Sequence, residues 1–188
     1  MTDAPRIASA PRCLRCGRAI SRSRRGRPAG VLKVVCPRCR YLMYDYPRPC
    51  AGMVVVKGDA VLMLRRGHAP KRGCLDVPGG FMEAEEGIEA AARRELKEET
   101  GLRVGPVEWL GFYWDRYYLR GFGYFPTMNF YYLARWRRGE PRAADDAASA
   151  EWISIARLGG RDPRYAWKHM GRVFADVKRR ITPAGERT

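Results

Sequence analysis

Three glutamates lie within five residues of a chain that otherwise carries an excess of positive charge: Glu95, Glu98 and Glu99, in the segment RRELKEETG. The apolar residues around them recur every four positions, which predicts an amphipathic helix that begins at about Glu86 and ends at Gly101. At about 100° per residue, all three carboxylates fall beside the apolar stripe, whereas two basic residues take the outer face.

Carboxylates crowded on a partly buried arc repel one another and lose hydration, so this arrangement calls for a compensating cation. Oxygen ligands without a nearby imidazole or thiolate favour Mg²⁺ or Mn²⁺ over zinc. Arg94 lies four residues before Glu98 and is expected to pair with it and fix its rotamer. The alternative is a helix whose Glu/Arg pairs merely stabilise its surface.

The wider segment GGFMEAEEGIEAAARRELKEETGL, from Gly79 to Leu102, matches every defined position of the Nudix box. Together with VPGGF and the surrounding strand pattern, it makes the chain resemble the Nudix hydrolases over about residues 46–182. The resemblance implies an α/β fold, an α/β/α sandwich with a mixed sheet, in which a loop, a helix and a second loop hold divalent metal against a substrate diphosphate. Family members hydrolyse a nucleoside diphosphate linked to another group.

Carried over by position, the resemblance gives the charged residues of the box separate roles. Glu95, Glu98 and Glu99 would be the ligands of Mg²⁺ or Mn²⁺, and one of them could also act as the general base. Arg94 would orient a glutamate and count among the catalytic residues. Glu86 would lie close to the metal cluster.

Other candidate site residues flank the box. Gly79 and Gly80 permit the tight backbone approach that the loop requires, and we count them, with Arg65, as substrate-binding residues. Many relatives add an acidic ligand from a late loop. Here the segment DDAASAEW offers Asp146 as the first choice and Glu151 as the reserve, unless both are ordinary charges of a loop and a strand edge.

Four of the six cysteines form two Cys-x-x-Cys pairs separated by nineteen residues: Cys13, Cys16, Cys36 and Cys39. This spacing is typical of a structural zinc site, because thiolates two residues apart on a tight turn can take adjacent corners of a tetrahedron. Two disulfides or a redox pair are the alternatives. The pattern predicts a small zinc ribbon ahead of the main domain.

The predicted organisation is a flexible tail at 1–12, the zinc ribbon at 13–45, a Nudix hydrolase domain at 46–182 and a C-terminal tail at 183–188. Apolar and aromatic runs predict five strands and a closing amphipathic helix. The strands are predicted at 51–56, 60–66, 107–114, 127–136 and 150–154, and the helix at 164–180. Residues 41–50 are predicted to form a stiff extended connection, and 67–81 a loop.

The net charge is +16, and 30 of the 36 basic residues are arginines, which suit phosphate binding. This balance favours anionic partners, with nucleic acid as one option. No apolar run is long enough to span a bilayer, and the N-terminal segment lacks the apolar core of a secretory signal. We therefore predict a cytoplasmic protein with no membrane partner; an organelle transit peptide is the weaker alternative.

A zinc ribbon before a Nudix domain resembles the NADH pyrophosphatases and related proteins that act on ADP-ribose or flavin dinucleotide. The Ser-Gln-Pro-Trp-Pro type signature of the NADH enzymes is missing after the box, which disfavours NADH and NAD-capped RNA. Aromatic residues in that region could stack on a base, although packing within strands is the favoured role.

The sequence therefore predicts a metal-dependent pyrophosphohydrolase that cleaves ADP-ribose, FAD or an NADH-like dinucleotide to AMP and a phosphorylated product. The alternative is a protein that binds nucleic acid or processes RNA ends through its basic ribbon. A nucleotide-type small molecule is the expected partner, and a homodimer is allowed but not indicated by any sequence pattern.

The zinc prediction can be tested by metal analysis of the purified protein. We expect about one zinc per chain, because four thiolates complete a closed site. Well under one zinc per chain, with the four thiols free to react, would contradict it.

Overall fold

The computed structural model describes residues 12–13, 15–19, 33–44, 47–119, 123–158 and 164–181. These residues fall into two compact units. The first comprises those up to Pro47 together with Tyr117–Pro126, and the second comprises Arg48–Arg116 and those from Thr127 onward. Most of the predicted N-terminal tail and all of the C-terminal tail lie outside the described residues. The predicted domain boundaries stay predictions.

The N-terminal part of the first unit contains a short hairpin. Strand β1 (Lys33–Val35) pairs antiparallel with β2 (Leu42–Tyr44). Between them, the amide of Arg40 donates to the carbonyl of Cys36 at 3.0 Å, which closes the turn that carries the second cysteine pair. The prediction of an extended connection at 41–50 was wrong in part, because 42–44 return to β1 instead of leading straight on.

The second unit is built on a sheet of seven strands among the described residues, with helices on its two faces. The strands are β3 (Arg48–Lys57), β4 (Ala60–Arg66), β5 (Leu75–Asp76), β6 (Gly79–Phe81), β7 (Val107–Leu119), β8 (Gly123–Arg135) and β9 (Ala147–Ser154). The helices are α1 (Ile88–Thr100), α2 (Ile155–Leu158) and α3 (Met170–Ile181). The strand order is β5-β4-β3-β8-β7, with β6 paired to β3 and β9 paired to β4.

The sheet is mixed, as predicted. Strand β3 runs parallel to β8 and antiparallel to β4 and β6. The predicted hairpin between β3 and β4 is confirmed, since Lys57 pairs with Ala60 and leaves a two-residue turn. Gly58 takes the left-handed conformation there, with φ 60°. Such a turn matches the twist of the strands it joins.

The apolar residues of β3 alternate between two cores. Val54 faces the core that includes Phe174 of α3, whereas Met53 faces the core that includes Leu96 of α1. All four side chains are almost completely buried, and each contributes about 2 kcal/mol to stability through the hydrophobic effect. The α/β/α sandwich is therefore confirmed.

Helix α1 ends where the sequence predicts and begins two residues later. Gly101 follows it with φ 71°, and its amide donates to the carbonyl of Lys97 at 2.8 Å, which caps the helix. The helix begins at Ile88 instead of Glu86 because Gly87 has an extended backbone, with φ −74° and ψ 150°. Glu86 thus lies in the loop that leads into the helix.

Helix α3 begins at Met170, six residues after the predicted start at Arg164. The intervening segment adds to the sheet edge instead. The amide of Leu75 donates to Arg164, and the amide of Ala166 donates to Leu75, both at 2.8 Å. These long-range bonds outweigh the helical periodicity of the segment.

Other differences from the predicted elements concern short or extended strands. The predicted loop at 67–81 contains β5 and β6, which are too short to show an alternating pattern. Strands β7 and β8 each have 13 residues and extend toward each other beyond their predicted ends. Within the described part of the chain, no helix is long and apolar enough to cross a membrane.

Two glycine substitutions should change stability in opposite directions. Replacing Gly101 by Ala places a side chain at φ 71° and should lower the free energy of unfolding by about 1 kcal/mol. Replacing the exposed Gly171 in α3 by Ala should raise it by up to about 1 kcal/mol, since a Cβ there meets no atom within 4 Å. Urea unfolding measures both, and equal effects of the same sign would contradict this account of the cap.

Candidate active site

Three of the glutamates of α1, those predicted to bind metal, differ in burial. Glu99 is buried, with 9% of its surface exposed, Glu95 is half-buried, and Glu98 is exposed. The prediction that all three border the apolar face is right for Glu95 and Glu99. For Glu98 it was wrong, because this residue lies far enough around the helix to reach solvent. The carboxylates therefore span a range from core to surface.

The Glu99 carboxylate is held by the loop before the helix. The amide of Gly79 donates to its Oε2 at 2.8 Å. Burial raises the pKa of Glu99 to about 8, although the Gly79 hydrogen bond lowers it, and the nearby charges of Asp76 and Glu95 raise it further. Among the described residues, no Lys, Arg or His lies within ion-pair distance of Glu99.

Arg94 links the other carboxylates. Its guanidinium binds both oxygens of Glu86 at 2.9 Å, and its Nη1 donates to Glu95 at 2.8 Å and to Glu98 at 2.9 Å. It also donates to the carbonyl of Phe81 at 3.2 Å. The predicted pair with Glu98 is confirmed, and the same guanidinium orients two further glutamates. The hydrogen bonds from Arg94 hold the pKa of Glu86 below its usual value.

Gly79 and Gly80 leave room that any side chain would fill. A Cβ at Gly80 would lie 2.6 Å from Oε1 of Glu95, and one at Gly79 would lie 2.7 Å from the carbonyl oxygen of Ala51. The two glycines pair with Gly52 and Ala51 of β3, so the loop lies directly on the sheet. The glycines therefore set the distance between this strand and the carboxylates of α1.

Asp146 and Glu151, the two acidic residues considered as an additional metal ligand, lie in different surroundings. The segment before β9 is fastened to the end of α1, because the amide of Ala144 donates to the carbonyl of Glu99 at 3.0 Å. Asp146 follows in this segment and is exposed. Glu151 instead forms an ion pair with Arg65 at 2.7 Å. The structure thus joins Arg65 and Glu151 to each other, while the backbone brings Asp146 toward the helix end.

One buried acid near the site was missed by the sequence analysis. Asp76 accepts hydrogen bonds from Trp167 at 2.7 Å and from Arg66 at 3.4 Å, and its burial raises its pKa to about 6. It ends β5, three residues before Gly79. Its position before VPGG was the only available signal, since its partners come from distant parts of the chain.

A second buried network includes His169, to which the sequence analysis gave no role. Its Nδ1 donates to Asp115 at 2.7 Å, and its Nε2 accepts from the hydroxyl of Tyr131 at 2.9 Å. Burial lowers the pKa of His169, so the neutral ring makes both bonds. The Tyr131 ring covers Gly52, where a Cβ would approach it within 2.6 Å. This network therefore supports the strand on which the glycine loop rests.

The four cysteines of the first unit converge. Their sulfur atoms all lie within 4.8 Å of one another, and the Cys13–Cys39 and Cys16–Cys36 pairs are each 3.6 Å apart. A hydrogen bond from the backbone of Cys39 lowers the pKa of Cys36 to about 6, against the opposing effect of burial. Four sulfur donors at these distances form a group that could hold a metal ion.

Comparison with known proteins identifies the family to which the chain belongs. The family model described as NUDIX domain matches residues 46–177. The chain belongs to the NUDIX family. It is therefore a Nudix hydrolase by family, and the resemblance found in the sequence is confirmed at this level.

Two curated relatives share this Nudix region. The ADP-ribose pyrophosphatase of Methanocaldococcus jannaschii is 33% identical over 132 residues, which cover 69% of this chain and 73% of the relative. The NAD-capped RNA hydrolase NudC of Vibrio atlanticus is 28% identical over 124 residues, 65% of this chain and 43% of the relative. The matched region thus spans less than half of that second protein.

Solved Nudix structures share the fold over most of the chain. A NUDIX hydrolase from Nitrosomonas europaea superposes with a TM-score of 0.63 at 22% identity, covering 90% of this chain and 92% of that one. At this level of identity the similarity concerns the fold alone.

The raised pKa of Glu99 predicts a pH dependence of the metal-free Nudix domain. The folded state holds a proton on Glu99 up to about pH 8, whereas the unfolded state releases it near 4.5, so stability should fall as the pH rises between these values. Glu99→Gln can still accept the Gly79 hydrogen bond and removes this titration. Each unit of pKa elevation corresponds to about 1.4 kcal/mol.

Urea unfolding in EDTA at several pH values, with wild type and Glu99→Gln side by side, measures the effect. We expect the variant to gain stability relative to wild type as the pH rises from 4.5 to 8. A stability difference that does not change across this window would contradict the assignment.

Proposed function

We propose that this Nudix domain is a divalent-metal-dependent pyrophosphohydrolase that cleaves the diphosphate of ADP-ribose or a similar dinucleotide. The observation that carries the proposal is the buried Glu99 carboxylate. It adjoins Glu95 and has no ion pair to a basic side chain among the described residues. A carboxylate in this setting calls for a cation, and oxygen donors suit Mg²⁺ or Mn²⁺.

The charge balance around Arg94 supports the same site. Three carboxylates contact one guanidinium, those of Glu86, Glu95 and Glu98, and the Glu99 carboxylate lies close to Glu95. Arg94 neutralises only one of these charges, so the cluster retains an excess of negative charge that a divalent cation would balance. We propose Glu95, Glu98 and Glu99 as the metal-holding residues and Glu86 as the residue that fixes Arg94.

The roles of the chain's own groups follow from their positions. When bound, the metal would neutralise the diphosphate and lower the pKa of an attacking water. Gly79 and Gly80 would let the phosphates approach the carboxylates, because no side chain stands between the strand and Glu95. Water adds to one phosphorus as its bond to the bridging oxygen breaks, which gives AMP and a phosphorylated remainder. Arg65 and Asp146 stay secondary candidates, for substrate and metal respectively.

ADP-ribose is the first substrate to test because the relative from M. jannaschii, 33% identical over the same domain, is named for it. FAD and NADH share its adenosine diphosphate group and come next. We place the protein in the cytoplasm on the sequence argument given above.

We infer that Cys13, Cys16, Cys36 and Cys39 bind a structural zinc ion. The mutual distances of the sulfur atoms support this inference. Zinc would stabilise a segment whose only described strands, β1 and β2, are three residues long.

RNA-end processing is the second candidate function. It is favoured by the similarity to the NAD-capped RNA hydrolase of V. atlanticus and by the ten arginines among the first forty residues. A phosphate-driven RNA interaction must weaken steeply with added salt. Cleavage of NAD-capped RNA in preference to free NAD, with such a salt dependence, would support this candidate over the first.

Product analysis tests the proposed function. The protein is incubated with ADP-ribose, NADH, FAD or NAD-capped RNA, with Mg²⁺, Mn²⁺ or EDTA. We expect AMP from ADP-ribose only with metal, and a loss of at least about 100-fold in kcat/KM for Glu98→Gln and Glu99→Gln. Glu89→Gln is the matched control, since Glu89 lies on the same helix but pairs with Arg93 at 2.8 Å, away from the cluster.

Folding of every variant is checked by circular dichroism before activity is compared. Hydrolysis that persists in EDTA, or that survives in Glu99→Gln as well as in Glu89→Gln, would overturn the metal site. Absence of hydrolysis of all four substrates by folded, metal-supplied protein would overturn the substrate class.

A further inference from the structure

Five aromatic side chains form a continuous row on β7 and β8, which we call the aromatic platform: Trp109, Phe112, Trp114, Phe130 and Tyr132. Three of them are strongly exposed, with 44% of Trp109, 51% of Phe112 and 53% of Trp114 accessible. Exposed aromatic residues normally occur singly, whereas a contiguous group indicates a binding surface.

Ring contacts connect the platform across both strands. Trp109 packs edge-on against Tyr132, with centroids 5.4 Å apart, and lies 6.1 Å from Phe130. Phe112 lies 6.3 Å from Phe130 and 6.4 Å from Trp114. The rings therefore support one another and form a stiff apolar face that loses little conformational entropy when a ligand binds.

The platform lies on the α1 face of the sheet. In β7, Leu110 and Tyr113 belong to the opposite core, beneath α3. Trp109 and Phe112, three residues apart, reach the same face because the strand is irregular at Gly111, whose φ is 156°. The break in alternation thus brings a third aromatic position of β7 onto the platform.

Strand register connects the platform to the glutamates. Phe130 pairs with Ala51 of β3, and Ala51 pairs with Gly80 of β6. A Cβ at Gly80 would point at the Glu95 carboxylate, so both features share one face of the sheet. Since neighbouring strands lie about 4.8 Å apart, Phe130 is roughly 10 Å across the sheet from Gly80.

We propose that the aromatic platform stacks the planar base of the substrate whose diphosphate reaches Glu95, Glu98 and Glu99. This inference rests on the proposed function and adds the residues that select the base. The ribose and phosphates of a nucleotide span the separation between the two features. The platform itself offers aromatic surface and no charged group, which suits an uncharged heterocycle and not a phosphate.

Stacking on the platform can be measured without catalysis. Intrinsic tryptophan fluorescence is titrated in EDTA with AMP and with ribose 5-phosphate, which carries a phosphate but no base. We expect AMP to quench the fluorescence and ribose 5-phosphate to leave it unchanged. Trp114→Leu and Phe130→Leu should raise the Kd for AMP at least about fivefold, the lower end of the range for base–aromatic stacking.

Trp136→Phe is the matched control. Trp136 packs against Trp152 and Lys57, outside the platform, so its replacement should leave the Kd for AMP unchanged. In turnover of ADP-ribose with Mg²⁺, the platform variants should raise KM more than they lower kcat. Circular dichroism checks that every variant is folded.

Three outcomes would overturn the inference. One is a Kd for AMP that is equal in wild type, Trp114→Leu and Phe130→Leu. Another is quenching by ribose 5-phosphate as strong as by AMP. The third is a dimer in light scattering that becomes a monomer in the platform variants, which would make a second copy of the chain the occupant.

The result also separates this inference from the proposed function. If AMP binding depends on the platform residues but no diphosphate is hydrolysed, base stacking on the platform is supported and the proposed hydrolase activity is refuted. If hydrolysis depends on metal but the platform variants leave KM unchanged, base stacking on the platform is refuted and the proposed hydrolase activity is supported.

Discussion

Burial of the Glu99 carboxylate against the Gly79 amide is the constraint on which the site depends. The carboxylate loses most of its hydration, and one backbone hydrogen bond replaces only part of it. The C-terminal end of helix α1 must therefore stay within hydrogen-bond distance of the Gly79 amide, and Gly79 and Gly80 must stay paired with β3. Leu96 on the same helix anchors this position in the core, so apolar packing holds the carboxylate where it would not remain by itself.

Arg94 holds the more exposed carboxylates of the site in place. One guanidinium bonds to three carboxylates and a backbone carbonyl, which fixes the rotamers of side chains that would otherwise move freely. Its contacts reach both the loop before α1 and the helix itself, so one side chain ties the loop to the helix. Lysine could not replace it, because a single ammonium group lacks the planar fork that binds both oxygens of Glu86.

The sequence predicts those parts of the molecule that depend on local periodicity. The end of α1 at Gly101, the β3–β4 hairpin and the burial of Glu99 all follow from spacing along the chain. Pairing between distant segments lies beyond such patterns. For this reason the segment after Arg164 joins the sheet edge instead of a helix. Likewise, the sequence around Asp76 and His169 gives no sign of the buried partners that these residues bind in the folded chain.

Glu98 shows the limit of angular reasoning within a single helix. Of the three carboxylates it lies farthest around the helix from Ala92 and Leu96, and at that angle the side chain reaches solvent. The same limit applies to the aromatic residues of β7 and β8, whose composition suggests strand packing until the register shows which rings share a face.

Consecutive residues of β8 serve two separate systems. Phe130 and Tyr132 belong to the aromatic platform, while Tyr131 between them joins the hydrogen-bond network of His169 on the opposite face of the sheet. A slip of one residue against β3 would exchange the two faces completely. The nine-residue parallel ladder with β3 prevents such a slip. Substitutions of the exposed platform residues of β8 can therefore accumulate through evolution while the residues that point to the opposite face keep the strand in register.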